Sequence, residues 1–290
     1  MFKDLLRLAR PYQYSKNLFI FIPAFFDFQL TNANLMLEAL TAFVGFSLIA
    51  SAVYIFNDWI DRHEDALHPE KKNRPLAAGR IKTRLAFVML ALLMVGGVSA
   101  ALLVSPGVFF LILTYLAVNF AYTLKLKHIA IIDIVIIASG FVIRLLVGAE
   151  ATQVSLSHWI IVMTFLLALF LSLAKRRDDV MIYLKTDKKM RKVIDGYNLK
   201  FLDAAMVMSA SIVVVAYILW SISPDVAERL NTQNIYLSAV FVVLGIMRYM
   251  QIAFVEEKSG NPSKVLLKDR FIQLTLLGWV SVFVWFIYLS

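Results

Sequence analysis

The sequence contains no cysteine, and this absence excludes several kinds of site. Without a thiol the chain cannot form disulfides, zinc–thiolate sites, iron–sulfur clusters or a cysteine nucleophile. Charge is also scarce, because only 17% of the residues are charged whereas 60% are hydrophobic. These proportions exclude an ordinary soluble domain and indicate that most of the chain lies in lipid. The few histidines have no metal-ligand spacing; they are His63, His68, His128 and His158.

Long apolar runs dominate the sequence. A membrane-spanning helix needs roughly 20 mostly apolar residues, and dividing the chain at its charged clusters leaves nine such runs. The runs are continuous rather than alternating apolar and polar, which disfavours a transmembrane β-barrel. We therefore predict an all-α polytopic membrane protein that forms a single domain over 1–290. The predicted spans are 17–33, 36–58, 83–104, 107–124, 129–149, 157–175, 203–222, 234–253 and 270–289.

Basic residues predict the orientation of these helices. They concentrate at the N-terminus and in every second connection, whereas the opposite side keeps only Arg229. By the positive-inside rule the N-terminus is cytoplasmic and the C-terminus, Ser290, lies outside. The two largest predicted loops, about 59–82 and 176–202, then face the cytoplasm, and we expect the active site there. The net charge of +9 belongs to short loops beside membrane helices, so it does not indicate nucleic-acid binding.

Four side chains that carry oxygen lie at the cytoplasmic end of the second predicted helix. Asn57, Asp61 and Asp65 are spaced i, i+4, i+8, and Asp58 precedes Asp61 by three residues, so one helical face can present all four. Clustered carboxylates at the negative end of a helix dipole need a cation, and Mg²⁺ prefers oxygen ligands, waters and substrate phosphates. The pattern predicts a magnesium site that holds a diphosphate. The alternative is a solvated helix end.

A basic segment follows these carboxylates directly. Lys71, Arg74 and Arg80 lie where a loop can fold back over a phosphate-rich ligand, because Pro69 should end the helix. Arginine suits bidentate contact with phosphate, and lysine acts as a point charge. Membrane topology alone also places basic residues here, so topology and substrate contact stay open for each residue.

Other polar residues near the cytoplasmic face also have two interpretations. Lys175 and Arg176, at the end of the sixth predicted helix, suit either a second anionic group or a stop-transfer cluster. The same choice applies to Lys16, before the first predicted helix. Tyr122, near the end of the fourth predicted helix, forms a further small cytoplasmic cluster with Lys125 and Lys127.

Arg144 differs from these residues because it lies well inside the fifth predicted helix. A charge at that depth needs a partner or a polar cavity. We favour a structural role for Arg144, paired with Glu150 or with a backbone carbonyl.

Nine helices with NDxxDxxxD at the end of the second resemble the UbiA superfamily of membrane prenyltransferases, in which this motif binds magnesium and a diphosphate. The chain is more similar still to a branch whose members transfer phosphoribose to decaprenyl phosphate. Prenyl-transferring members carry a second DxxxD motif near the end of the sixth helix, where this chain has Lys175 and Arg176. The likeness covers almost the whole chain and is carried by RPYQYSKN ending at Asn17, SAVYIFND at 51–58, HPEKKNRPLAAG at 68–79, SGFVIRLLVGA at 139–149 and LLKDRFIQL at 266–274.

The resemblance implies a phosphoribosyltransferase of the bacterial inner membrane, with phosphoribosyl diphosphate (PRPP) as donor, a polyprenyl phosphate as acceptor and the active site facing the cytoplasm. Asn57, Asp61 and Asp65 would hold Mg²⁺, and Asp58, Asp61 and Asp65 would be catalytic. The resemblance leaves the oligomeric state open, a homo-oligomer included. The substrate-binding residues that it implies are Lys16, Lys71, Arg74, Arg80, Tyr122, Lys127, Lys175 and Arg176.

Two other functions remain alternatives. A conventional prenyltransferase would join an isoprenoid diphosphate to an aromatic or other small acceptor, and it would be expected to carry a second DxxxD motif. A carrier for lipid phosphates would be expected to have internal repeats and interrupted helices near the bilayer midplane. The sequence supplies neither pattern.

Overall fold

The computed structural model describes residues 1–27, 29–67, 71–186, 192–230 and 232–286. All regular secondary structure among these residues is helical, with no β-strand, which confirms the all-α class. The α-helices are α1 (Phe2–Ala9), α2 (Ile22–Phe26), α3 (Ala33–Ile60), α4 (Arg62–Leu67), α5 (Thr83–Val104), α6 (Pro106–Leu124), α7 (Ile132–Thr152), α8 (His158–Thr186), α9 (Leu199–Ser221), α10 (Pro224–Arg229), α11 (Ala239–Phe254), α12 (Pro262–Lys268) and α13 (Arg270–Val284). Short 3₁₀ helices lie at Pro11–Phe21, Gln29–Thr31, Lys71–Asn73, Leu126–His128, Lys192–Gly196 and Asn234–Ser238.

Seven helical segments are long and apolar enough to cross a membrane. They are α3, α5, α6, α7, α8, α9 and the segment Asn234–Phe254, which includes α11. The last predicted span, 270–289, contains α13, which has 15 residues, and its end at 287–289 lies outside the described residues. The predicted count of nine transmembrane helices is therefore not confirmed.

The first predicted span, 17–33, does not form one regular α-helix. Its described part begins in the 3₁₀ helix Pro11–Phe21, continues into α2 and reaches a second 3₁₀ turn, and residue 28 lies outside the description. Pro23 lies at the start of α2, where its missing N–H costs nothing, but its ring is incompatible with a continuous α-helix running through it. Apolar composition alone does not reveal this interruption.

Helix α8 extends further than its apolar run. The predicted span ends at residue 175, whereas the helix continues to Thr186 and carries the charged sequence KRRDD in helical geometry. Residues 176–186 of the predicted loop 176–202 are therefore helical, and 187–191 lie outside the described residues. Similarly, α3 and α4 occupy the start of the predicted loop 59–82, and 68–70 lie outside the description.

The chain divides into two compact units. The first comprises residues 1–127 and 139–156, and the second comprises 128–138 and 157–290. The prediction of a single domain over 1–290 stays a prediction.

Close helix packing in the first unit depends on small residues. A Cβ atom at Gly97 of α5 would lie 2.8 Å from the carbonyl oxygen of Gly45 in α3, so only glycine fits there. Small residues of this kind let helix backbones approach closely in a membrane, where the hydrophobic effect adds little to helix association. The core around this contact includes Phe46, Ile49 and Ile112.

The second unit is built on α8, α9, α11 and α13. Its core includes Phe170, Met206 and Tyr249, with Phe170 and Tyr249 in edge contact at 5.5 Å between ring centroids. Asp269 begins α13 by accepting a hydrogen bond from the Ile272 amide at 2.9 Å, as expected for a helix N-cap.

Candidate active site

The backbone at the end of α3 positions the four polar side chains of the NDxxDxxxD motif. Helix α3 ends at Asp61, but the helical hydrogen-bond pattern continues across this residue. The Asp61 amide donates to the Asn57 carbonyl at 2.9 Å, and the Asp65 amide donates to the Asp61 carbonyl at 2.8 Å. Helix α4 then carries Asp65 onward. The near-helical path keeps the four side chains close together, as their spacing predicts.

Asp58 and Asp65 share one arginine. Both carboxylates are buried, at 2% and 3% exposure, and Arg74 Nη1 donates to Asp58 at 3.0 Å and to Asp65 at 2.6 Å. Arg10 Nη2 reaches the same Asp58 oxygen at 2.5 Å, and Lys71 Nζ lies 3.9 Å from Asp65. The loop that follows α4 therefore folds back over the carboxylates, as the sequence predicts.

Asn57 and Asp61 form a second, adjacent pair. The Asn57 amide nitrogen donates to Asp61 at 3.2 Å, and Lys127 forms an ion pair with the other Asp61 oxygen. Thr123 of α6 donates to the Asn57 amide oxygen at 3.5 Å. The motif is therefore arranged as two neighbouring pairs rather than as one row of four ligands.

We call this group the α3 cluster. It contains Asp58, Asp61 and Asp65 with their cationic partners, so the described ion pairs join three carboxylates to four basic side chains. The cations are Arg10, Lys71, Arg74 and Lys127.

The donor chemistry of the α3 cluster fits Mg²⁺. Asn57 and Asp61 carry hard oxygen atoms of the kind that bind Mg²⁺, which is usually held by only one or two carboxylates together with waters and substrate phosphates. In this arrangement the Asn57 amide turns its nitrogen towards Asp61 and its oxygen towards Thr123. Within the described part of the chain, no three acidic or histidine side chains gather around one point, so metal binding by Asn57, Asp61 and Asp65 stays a prediction.

The remaining predicted residues of the first unit have different surroundings. Arg80 binds Asp4 of α1 at 3.0 Å and the Asn73 carbonyl at 2.6 Å, so it ties the loop to the N-terminal helix. Tyr122 and Lys16 are both half-buried. Burial, followed by the charges of Arg144 and Arg10, lowers the pKa of Lys16 to about 8.

The second unit holds a separate polar group, which we call the α8 cluster. Arg176 is 1% exposed and forms ion pairs with Asp133 at 2.6 Å and Asp179 at 2.7 Å. The Tyr197 hydroxyl donates to Asp133 at 2.6 Å and accepts the Ile131 amide at 2.7 Å. Burial and the bond to Asp133 raise the pKa of Tyr197. Arg176 is thus enclosed by protein carboxylates, and half-buried Lys175 precedes it; substrate binding by either stays a prediction.

Several of these residues have no clear signal in the sequence. Arg10 counts there only as a topology charge, yet it contacts Asp58 and adopts φ 54°, a conformation that is unfavourable for a residue other than glycine. Thr123 and Tyr197 belong to segments that carry no motif. For Arg10 the one available signal is its place at the start of RPYQYSKN, a stretch that carries the family resemblance.

Comparisons with known proteins show the family of this chain. The family model described as the UbiA prenyltransferase family matches residues 20–277. A decaprenyl-phosphate phosphoribosyltransferase from Mycolicibacterium smegmatis is 31% identical over 99% of this chain and 93% of its own. Enzymes of the same name from Mycobacterium tuberculosis and Corynebacterium glutamicum are 32% and 30% identical, covering 83% and 98% of this chain and 78% and 87% of theirs.

Solved structures share the fold at lower identity. A UbiA homologue from Archaeoglobus fulgidus bound to GPP and Mg²⁺ has a TM-score of 0.73 and is 18% identical, with 98% of this chain and 99% of that chain covered. The same homologue bound to DMAPP and Mg²⁺ has a TM-score of 0.72 over 99% of this chain and 100% of that chain. The long apolar helices and these matches make the protein an integral membrane protein. The chain belongs to the UbiA prenyltransferase family.

Proposed function

We propose that the protein transfers 5-phosphoribose from PRPP to a polyprenyl phosphate and releases pyrophosphate. The α3 cluster is the observation that carries the proposal, because it joins one acidic motif to cations that can turn to phosphate oxygens, Arg10, Arg74 and Lys127. A prenyl diphosphate held by two acidic motifs would not need these cations. The relatives named decaprenyl-phosphate phosphoribosyltransferase, which match nearly the whole chain, support the same substrates.

In this proposal the diphosphate of PRPP binds at the α3 cluster. Arg74 and Lys127 now neutralise Asp58, Asp65 and Asp61, and they turn to the phosphate oxygens when the ligand arrives. Asn57 and Asp61, together with Asp65, would hold Mg²⁺, which when bound supplies positive charge that offsets the charge on the departing pyrophosphate. Asp58 keeps Arg10 and Arg74 in position.

The reaction needs no strong general base. The bond between ribose C1 and the diphosphate oxygen breaks, and its electron pair leaves with pyrophosphate. An oxygen of the lipid phosphate, already an anion, forms the new bond to C1. The cations of the α3 cluster stabilise the charge that develops on the leaving group, which is the usual electrostatic contribution to such a transfer. Arg80, Tyr122, Lys175 and Arg176 stay predictions as substrate contacts.

The orientation belongs to the same proposal. The positive-inside rule places the basic segment around Lys71 and Arg74 in the cytoplasm of a bacterium, with the protein in the inner membrane. PRPP is a soluble, highly charged molecule, so a donor site on that face is consistent with supply from the cytoplasm.

Transfer is tested with purified protein, PRPP, Mg²⁺ and farnesyl phosphate, following pyrophosphate release and the mass of the lipid product. We expect Asp61→Asn to lower the rate about 10²–10³-fold, because one member of a preorganised electrostatic site is lost. Asp225→Asn, on the exposed helix α10, is the matched control and should keep the rate. A geranyl diphosphate arm with an aromatic acceptor tests prenyl transfer. Turnover in that arm alone would overturn the proposal.

A further inference from the structure

Lys16 carries a positive charge that the described protein leaves without a partner. It lies on the 3₁₀ helix Pro11–Phe21, is half-buried, and forms no hydrogen bond or ion pair with any residue that the structure describes. Its electrostatic neighbours are Arg144 and Arg10, both cations, and burial together with these charges lowers the pKa of Lys16 to about 8. Of these three cations, only Arg10 has an acidic partner among the described residues, and that partner is Asp58.

Arg144 is a second cation without a carboxylate among the described residues. It is 5% exposed, and its three hydrogen bonds go to neutral groups: the Asn17 side-chain oxygen at 2.8 Å, the Gly140 carbonyl at 2.7 Å and the Tyr115 hydroxyl at 3.4 Å. Glu150, the partner considered from the sequence, instead accepts a bond from Ser105. Three aromatic rings lie within cation–π distance of the guanidinium: Phe46, Tyr115 and Phe141.

An isolated cation at this depth is costly unless something compensates it. Aromatic rings and neutral acceptors supply part of that compensation. A guanidinium has five N–H donors, and Arg144 uses three of them in the described contacts. Two N–H donors of Arg144 therefore have no partner among the described residues.

The fold holds the two cations in adjoining positions. Asn17 follows Lys16 in the chain, and its amide accepts from Arg144 while donating to Ser47 at 2.9 Å, so the amide cannot turn freely. Gly148 of α7 allows the close approach, because a Cβ atom there would lie 2.0 Å from the Ile20 carbonyl oxygen. The 3₁₀ helix and α7 thus meet backbone to backbone and fix the spacing before any ligand binds.

We propose that Lys16 and Arg144 form a binding site for a phosphate monoester, distinct from the diphosphate site at the α3 cluster. Two uncompensated positive charges are balanced by one phosphate monoester, which carries a charge of about −1.5 to −2 at pH 7, whereas a carboxylate balances only one. The inference rests on the proposed function, in which the lipid phosphate and the 5-phosphate of PRPP are both monoesters.

Binding measurements on the full chain in detergent at pH 7 test the site. The probes are farnesyl phosphate, ribose 5-phosphate, and pyrophosphate with Mg²⁺. We expect Lys16→Met to lower the affinity for one of the two monoesters at least tenfold. The affinity for pyrophosphate should stay within twofold of that of the natural chain. The monoester that loses affinity identifies the source of the phosphate. Lys16→Arg keeps the charge and should retain monoester affinity within about threefold.

Arg7→Met is the matched control, because it removes a cation from the exposed face of α1 nearby in sequence and should leave all three affinities unchanged. Arg144→Lys, which keeps the charge but offers fewer donors, gives a second test and should weaken the same monoester as Lys16→Met. The site would be overturned if Lys16→Met bound both monoesters with unchanged affinity. It would also be overturned if the affinity for pyrophosphate fell as much as the affinity for the monoester. Failure of the natural chain to release pyrophosphate from PRPP would instead overturn the proposed function, while monoester binding would still be measurable.

Discussion

The α3 cluster and the α8 cluster are built from the same residue types but differ in charge balance. In the α3 cluster four cations surround three carboxylates, and Arg74 is a quarter exposed. In the α8 cluster Arg176 pairs with two carboxylates, fully buried Asp133 and half-buried Asp179. In our proposal the first group binds an anion from outside the protein. The second already contains its own anions.

This difference separates binding from structural roles better than residue type does. A phosphate that approached Arg176 would meet two carboxylates and would have to displace buried ion pairs, which is expensive. When a diphosphate approaches the more accessible Arg74, this arginine exchanges its carboxylate partners for phosphate oxygens.

The largest effect is expected for Arg176→Met, on stability. Its loss leaves the fully buried Asp133 carboxylate without this cation and removes one partner of Asp179, and breaking a buried pair in this way costs about 3–5 kcal/mol. Thermal unfolding in detergent measures the change, and adding Asp133→Asn should recover part of it. Unchanged thermal stability together with a loss of transfer would show that Arg176 binds substrate. The α3 and α8 clusters would then not differ in role.

The next effect concerns Arg74→Gln, on ligand binding. Removing this cation lowers the positive charge around Asp58 and Asp65, so Mg²⁺ alone should bind about tenfold more tightly. Mg²⁺ with pyrophosphate should bind about tenfold less tightly, because a phosphate partner is lost. Calorimetry measures both affinities, with Arg62→Gln as a control outside the cluster. Changes of the same sign would contradict the proposed exchange of partners.

A pH effect of smaller size is expected at Lys16. Below its pKa of about 8 the ammonium is charged with or without ligand, so the affinity for a phosphate monoester is constant. Above pH 8 the free protein loses this charge, whereas a bound anion raises the pKa, so affinity falls by up to tenfold per pH unit. Monoester titrations at pH 7, 8 and 9 measure the slope. The Lys16→Arg variant stays charged, so its affinity for the monoester should not change between pH 7 and 9. A pH dependence retained in that variant would point to another titrating group.

The smallest effect is expected for Tyr197→Phe. The hydroxyl donates to Asp133 and accepts the Ile131 amide, and losing such bonds costs about 1–2 kcal/mol. Thermal unfolding should show a modest loss of stability with transfer retained per folded molecule. Tyr236→Phe, at an exposed position, is the control. A loss of transfer without a loss of stability would show that the α8 cluster takes part in the transfer reaction.

Much of the site can be predicted from the spacing of residues. The i, i+3 and i+4 relations of Asn57, Asp58, Asp61 and Asp65 hold in the structure because the backbone stays nearly helical through Asp61. The folding of Arg74 over these carboxylates is a short-range event, only nine residues beyond Asp65. Local geometry controls both, so the sequence is sufficient for them.

Contacts between distant segments could not be predicted in the same way. Arg10 meets Asp58 across 48 residues, and Arg144 meets Asn17 across 127. A buried cation in an apolar helix demands a partner, but nothing in the sequence says which polar group the packing brings to it. Arg176 gives a second example, because its ion pair with Asp133 across 43 residues has no signal in the spacing of the sequence.

The amino-acid sequence by itself determined that the chain is helical, that it lies in a membrane and that it carries one acidic motif followed by cations. Composition and local spacing control these properties. Only the tertiary structure decided where the first apolar run breaks, how the motif divides into two pairs and which cations are already neutralised. Those outcomes depend on packing and on charge balance between segments far apart in the chain, and neither is a property of any local stretch of residues.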